Sequence, residues 1–187
     1  MKRHRQGGFS LLEMLVALLV VVVLTSMVSL SIGTGDQGQE LENHVRNIAN
    51  VSQYALDEAQ WRGQSYGLLF KEQFVAGEAR YAYSWRELRP EGWRAPLLHT
   101  EIFAGDLLPP GVLLELALDD IALNELSIEE EDEDAVPQVQ FYASGESTSG
   151  ALDIRWAQDG ELAWRLQWDL LGRFELLLRG EEGEDDE

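Results

Sequence analysis

From Phe9 to Ile32 the chain is apolar with few interruptions, and residues 14–35 carry no charged side chain. As a helix rising about 1.5 Å per residue, these 24 residues span roughly 36 Å, enough to cross a bilayer. The exception is Glu13, four residues after Phe9. Gly33, Gly35 and Gly38 cluster where the segment should leave the membrane and are expected to loosen or kink the helix. Asp36 is the expected N-cap of a further helical stretch, with Gln39 at its third position. From Gln39 to Trp61 the pattern becomes amphipathic. Leu41, Val45, Ile48, Ser52, Ala55 or Leu56, and Ala59 recur every three to four residues with polar residues between them, so one stripe faces a soluble domain.

Beyond Trp61 the period shortens. Tyr66–Phe74, Ala79–Trp85 and Leu113–Leu118 are short apolar or aromatic runs, and Pro109-Pro110-Gly111 breaks the chain between the second and third. Val139, Phe141 and Ala143 alternate up to the polar turn Ser144-Gly145-Glu146. Leu152, Ile154 and Trp156 alternate up to Asp159-Gly160, a hairpin signal, and Leu162, Trp164, Leu166 and Trp168 resume the alternation. Leu171-Gly172 allows a further turn before Phe174, Leu176 and Leu178. These runs predict an antiparallel meander of three or four strands with Trp and Leu on one face.

Charge changes the picture at both ends. The chain has 14 Lys and Arg against 34 Asp and Glu, a net charge of −20, so it repels nucleic acid unless a local basic patch intervenes. The concentrated basic patch along the sequence is Lys2, Arg3 and Arg5, in the segment MKRHRQGG that precedes Phe9. A basic flank before an apolar span predicts a cytoplasmic N-terminus and an exported remainder. The acidic blocks EEEDED (129–134) and EEGEDDE (181–187) invite calcium, but the first lacks the alternating ligands and central Gly of an EF-hand loop. They read as a solvated loop and a disordered tail, with no metal site assigned.

No enzyme is expected. The sequence has no cysteine, which excludes thiolate nucleophiles, disulfides and Cys-based zinc sites. The histidines are His4, His44 and His99, without metal spacing, and there is no nucleophile elbow or phosphate loop. No cofactor is called for.

Three readings of the N-terminus compete: a secretory signal peptide, a plain signal anchor, and a prepilin signal cut before the apolar stretch. Glu13 separates them. A carboxylate at mid-helix in a membrane costs about 2.5–3.5 kcal/mol, less near the interface, and neither of the first two readings needs one. The run Gly8–Phe9–Ser10–Leu11–Leu12–Glu13 resembles the prepilin signal of type IV pilins and type II secretion pseudopilins: basic residues, a Gly, a Phe and a Glu at the fifth mature position. The resemblance implies cleavage between Gly8 and Phe9 by a membrane prepilin peptidase and N-methylation of Phe9. It also implies that Glu13 pairs with the terminal amine of a neighbouring subunit during assembly.

The head resembles the H-type minor pseudopilin (general secretion pathway protein H) and the related FimT/FimU-type minor pilins. The cues are a long helix followed by β-rich sequence, the segment Gln138 to Trp156 with its Ser-Gly-Glu turn, and the later Leu-Gly-Arg-Phe-Glu-Leu. The acidic loop and tail depart from the pattern. The implied fold is α+β and type IV pilin-like, a long N-terminal helix packed on an antiparallel β-sheet head. The expected division is a leader (1–8), a transmembrane and filament-core helix (9–32), an amphipathic continuation (33–62), a periplasmic head (63–180) and an acidic tail (181–187). The implied role is a minor pseudopilin near the tip of the periplasmic pseudopilus that drives folded proteins across the outer membrane. Its implied partners are the other minor pseudopilins, the major pseudopilin, the prepilin peptidase, an inner-membrane assembly platform and inner-membrane lipid, with no nucleic acid. The alternative is a minor pilin of a type IV pilus, used in adhesion, twitching or DNA uptake.

Overall fold

Residues 11–119, 121–123, 126 and 135–180 are described from a computed structural model, with the side chains of residues 23–36 left aside. Gly8, Phe9, the acidic block 129–134 and the tail 181–187 lie outside the described residues. The chain divides into two units, residues 1–40 and 41–187.

A single helix, α1 (Leu11–Arg62), runs from the first described residue to just short of the strands. It continues unbroken past Gly33, Gly35 and Gly38, so no second helix starts at Asp36. Glycine in a helix interior costs about 1 kcal/mol relative to alanine but keeps its N–H donor. Unlike proline, it leaves the hydrogen-bond ladder intact. Among the described residues no helix is long and apolar enough to cross a membrane, a comparison that leaves out the side chains of residues 23–36. The expected span 9–32 therefore falls only partly within the description.

In the second unit the expected stripe is realised. Leu41, Val45, Ile48, Ser52, Ala55 and Ala59 are all buried, and both candidates at the ambiguous position, Ala55 and Leu56, face inward. Ten strands follow among the described residues: β1 (Tyr66–Val75), β2 (Glu78–Arg89), β3 (Gly92–Arg94), β4 (Asp106–Leu107), β5 (Val112–Leu118), β6 (Ile121–Leu123), β7 (Val139–Phe141), β8 (Gly150–Trp156), β9 (Leu162–Trp168) and β10 (Phe174–Leu178). They form two antiparallel sheets. The first runs β3-β2-β1-β7 with β4 also paired to β2, and the second runs β10-β9-β8-β5-β6.

The β1–β2 hairpin closes on Ala76-Gly77, both at positive φ, as a tight two-residue turn demands. The consecutive strands β8, β9 and β10 are the expected meander. Gly160 supplies the positive φ of 73° where Asp159-Gly160 had signalled a hairpin. The run at Val139–Phe141 does not join that meander. It crosses to the first sheet and pairs with Tyr66–Leu68 of β1. Local alternation specifies a strand but not its partner, and the partner here lies some seventy positions upstream. Gly67 permits the approach, because a Cβ at that position would collide with the Pro137 ring.

The inward faces of both sheets and the helix stripe share one core. Its aromatic centre is continuous. Tyr66 stacks on Phe103 at 5.0 Å, Phe103 meets Trp85 at 5.6 Å, and Trp85 meets Phe141 at 6.0 Å. Phe141 reaches Phe174 of the second sheet at 6.2 Å. Burial in β10 departs from simple alternation: Phe174 and Leu176 pack against the core, whereas Leu177 is buried and Leu178 is exposed. Leu177 lies opposite Arg165 on the outer face, where β10 meets the stems of charged side chains.

Candidate functional site: the N-terminal helix and its seam with the head

Glu13 sits in the first described turn of α1. From Leu11 to Val22 every described side chain is exposed, and apart from Glu13 and Ala17 all are large hydrophobics. Leu11, Leu12, Met14 and Val20 point to different sides, so no single stripe faces a core. A helix apolar all round needs an apolar surrounding. The one carboxylate on that surface is the group whose position such packing must respect.

The lower half of α1 is locked to the head by polar contacts as well as by its stripe. Asn47 Nδ2 donates to the Tyr83 hydroxyl at 3.3 Å. His44 Nδ1 lies 3.6 Å from Asp106 Oδ2, and His99 Nε2 lies 3.7 Å from Glu58 Oε1. Glu58 also holds Arg62 at 3.1 Å one turn on. Arg46 lies over the Trp164 ring at 5.9 Å, a cation–π contact from the helix to the second sheet. The two histidines thus serve opposite ends of the seam, each beside one carboxylate. Among the described residues no group of three or more His, Asp or Glu is placed to hold a metal.

The tyrosines of the first sheet make this seam sensitive to alkali. Burial pushes the Tyr83 hydroxyl above its ordinary 10.0; the Asn47 hydrogen bond opposes the shift and the Asp106 charge adds to it. Burial likewise raises Tyr66 and Tyr81. The fold therefore favours the neutral phenols. Their contribution to stability is complete below the unfolded-state value of 10.0 and is lost as pH rises from there through the folded value. A Tyr83→Phe chain should lose less of its stability than the parent between about pH 9 and 11, followed by thermal melts. Equal losses in the two chains would remove Tyr83 from that account.

The outer face of the second sheet carries a charge cluster that alternation alone did not reveal. Asp153, buried on the face opposite Leu152 and Ile154, accepts two hydrogen bonds from Arg165, from Nε and Nη2, each at 2.6 Å. Arg155 bridges Glu115 at 2.9 Å and Asp153 at 3.5 Å. Cross-strand register makes the cluster, since Glu115, Asp153 and Arg165 lie directly opposite one another on β5, β8 and β9. The only signal in the sequence was an acidic residue within an apolar strand.

Comparison with known proteins bears on both halves. Residues 3–32 match the prokaryotic N-terminal methylation motif, and residues 44–172 match the type II transport protein GspH family. The type II secretion system protein H of Aeromonas hydrophila is 27% identical, the match covering 98% of this chain and all of that protein. The fold is similar to a crystal structure of the minor pseudopilin EpsH from the type II secretion system of Vibrio cholerae, with a TM-score of 0.58 and 22% identity. That match covers 77% of this chain and 97% of the other. A second EpsH structure gives a TM-score of 0.54 at 21% identity, over 76% of this chain and 99% of the other. An apolar helical stretch with one carboxylate, a methylation motif around it, and a family match spanning most of the head together mean that the chain belongs to the type II transport protein GspH family, the H-type minor pseudopilins of type II secretion.

Proposed function

We propose that this minor pseudopilin is made with a disposable leader, residues 1–8, that a prepilin peptidase removes between Gly8 and Phe9. The new terminal amine, on Phe9, is then methylated. Residues 9–32 hold the chain in the bacterial inner membrane with the N-terminus cytoplasmic and the head periplasmic, until the subunit enters the pseudopilus. There the apolar surface of Leu11–Val22 exchanges lipid for the helices of sister subunits. Glu13 takes the Phe9 amine of a neighbour as its partner. A buried charge left without its counter-charge is strongly destabilising, by about 3–5 kcal/mol, so the pair penalises any register but one. In this reading the protein sits near the tip, joining the other minor pseudopilins to the major pseudopilin above an assembly platform. It performs no reaction itself and binds no nucleic acid.

The observation that supports this best is Glu13, the one carboxylate in the otherwise apolar, exposed stretch Leu11–Val22. The direct test is mass mapping of the N-terminus of the protein recovered from membranes. A mature chain beginning at methylated Phe9 is expected. A start near Gly33 would mean that a signal peptidase removes the whole apolar segment, and the assembly role would fall with it.

A further inference from the structure

The head is strongly acidic, yet three guanidinium groups converge at one edge of its first sheet. Arg86, Arg89 and Arg94, with Ala95, line a cavity of about 290 Å³. Arg86 and Arg89 come from β2 and Arg94 from β3, and the short connection between the two strands brings them together. Main-chain carbonyls fix their orientation. Arg86 Nη1 donates to the Trp85 carbonyl at 3.2 Å, Arg94 Nη1 to that of Trp93 at 2.8 Å, and Arg89 Nη2 to that of Ala95. Glu87, itself buried, approaches Arg89 Nη2 at 3.1 Å and also accepts from the Leu97 N–H at 3.2 Å. The Arg89 Nε is buried without a hydrogen-bond partner among the described residues.

We propose that this arginine cluster is a carboxylate-binding site that takes a short acidic peptide segment. Guanidinium forks suit carboxylates because both are planar and can share two parallel hydrogen bonds. The volume admits one or two carboxylate side chains, not a polynucleotide, which would also have to lie along the acidic surface beyond. The chemistry required is present in this chain. The block Glu129–Asp134 consists wholly of acidic residues, and the chain re-enters the described fold at Ala135. Two residues on, Pro137 packs against Gly67, and Gly67 is the direct cross-strand neighbour of Arg86. The segment can therefore come from the chain itself or from a neighbouring subunit, and the experiment distinguishes the two.

The test uses the full-length chain in detergent micelles and a fluorescent peptide of residues 127–135, SIEEEDEDA. Its control is the neutral counterpart SIQQQNQNA. Two host chains are compared, the parent and one carrying Glu129→Gln, Glu130→Gln, Glu131→Gln, Asp132→Asn, Glu133→Gln and Asp134→Asn. The acidic peptide should bind the neutralised chain, weaken as salt is raised, and lose about tenfold or more in affinity with Arg86→Gln plus Arg94→Gln. The neutral peptide should not bind. Weaker binding to the parent than to the neutralised chain means that the chain's own block fills the site; equal binding means that the site is open to a partner's segment. Thermal melts of the arginine variant report whether its head is folded, and Arg86→Lys plus Arg94→Lys, which keeps the charge, should recover part of the affinity. Absence of acidic-peptide binding to the neutralised chain, or binding indifferent to the arginine substitutions, would overturn the proposal.

Discussion

A chain carrying Glu13→Leu is expected to reach the membrane and be processed at Gly8–Phe9 normally, yet to be missing from assembled pseudopili. The substitution makes the segment more apolar, and on membrane-insertion scales an apolar residue in place of a carboxylate favours insertion by a few kcal/mol. Anchoring therefore cannot fail for lack of hydrophobicity. On the proposed pairing, what is lost is the counter-charge for a neighbour's terminal amine, and an amine buried alone among apolar helices costs about 3–5 kcal/mol, a factor of about a hundred to several thousand in occupancy. Glu13→Ala should behave alike, since side-chain volume is not the issue, whereas Glu13→Asp should retain part of the function. The measurement is the amount of the chain in sheared pseudopilus fractions against the amount in membranes, alongside secretion of a folded exoprotein. Undiminished incorporation of the Leu variant would end the registration role.

The second large effect lies in the head. Phe141 is 0% exposed and joins the two sheets, touching Trp85 on one side and Phe174 on the other. Truncation to alanine removes a ring that close-packed neighbours cannot replace, at about 3–5 kcal/mol. Against a total stability of about 5–15 kcal/mol that is a large fraction, so Phe141→Ala should unfold at markedly lower urea in detergent-solubilised chain. Phe74, 73% exposed near the tip of the β1–β2 hairpin, provides the contrast. Phe74→Ala should stay within about 0.5 kcal/mol of the parent. Similar midpoints for the two variants would show that the sheets are not joined through Phe141.

Much of the head could be anticipated where local pattern and tertiary role coincide. The stripe from Leu41 to Ala59 was readable because a helix half-buried on a core must repeat every three to four residues. The β8–β10 meander was readable because Asp159-Gly160 and Leu171-Gly172 punctuate three alternating runs, and neighbours in sequence became neighbours in the sheet. The cap expected at Asp36 was wrong because glycines weaken a helix without breaking its ladder. The division of the strands into two sheets was not readable, since β7 carries the same alternation as the meander strands yet pairs with β1.

The charged features divide along the same line. Glu13 stood out in the sequence because it sits at the start of a long stretch, residues 14–35, without another charged side chain, and no folding is needed to see that contrast. The contacts of His44 with Asp106 and of His99 with Glu58, and the Asp153–Arg165 pair, each join residues from different elements and were decided by strand register and helix docking. The arginine cluster makes the point most clearly. Along the sequence the concentrated basic patch is Lys2, Arg3 and Arg5, while Arg86, Arg89 and Arg94 are spread among neutral and acidic residues. The sequence by itself determined the apolar N-terminal stretch, its single carboxylate, the amphipathic stripe and the late meander, because those depend on periods of two to four residues. Only the tertiary structure decided which strands share a sheet, which aromatic rings bridge them, and that three arginines on an acidic protein meet at one cavity, because those depend on pairings between distant segments.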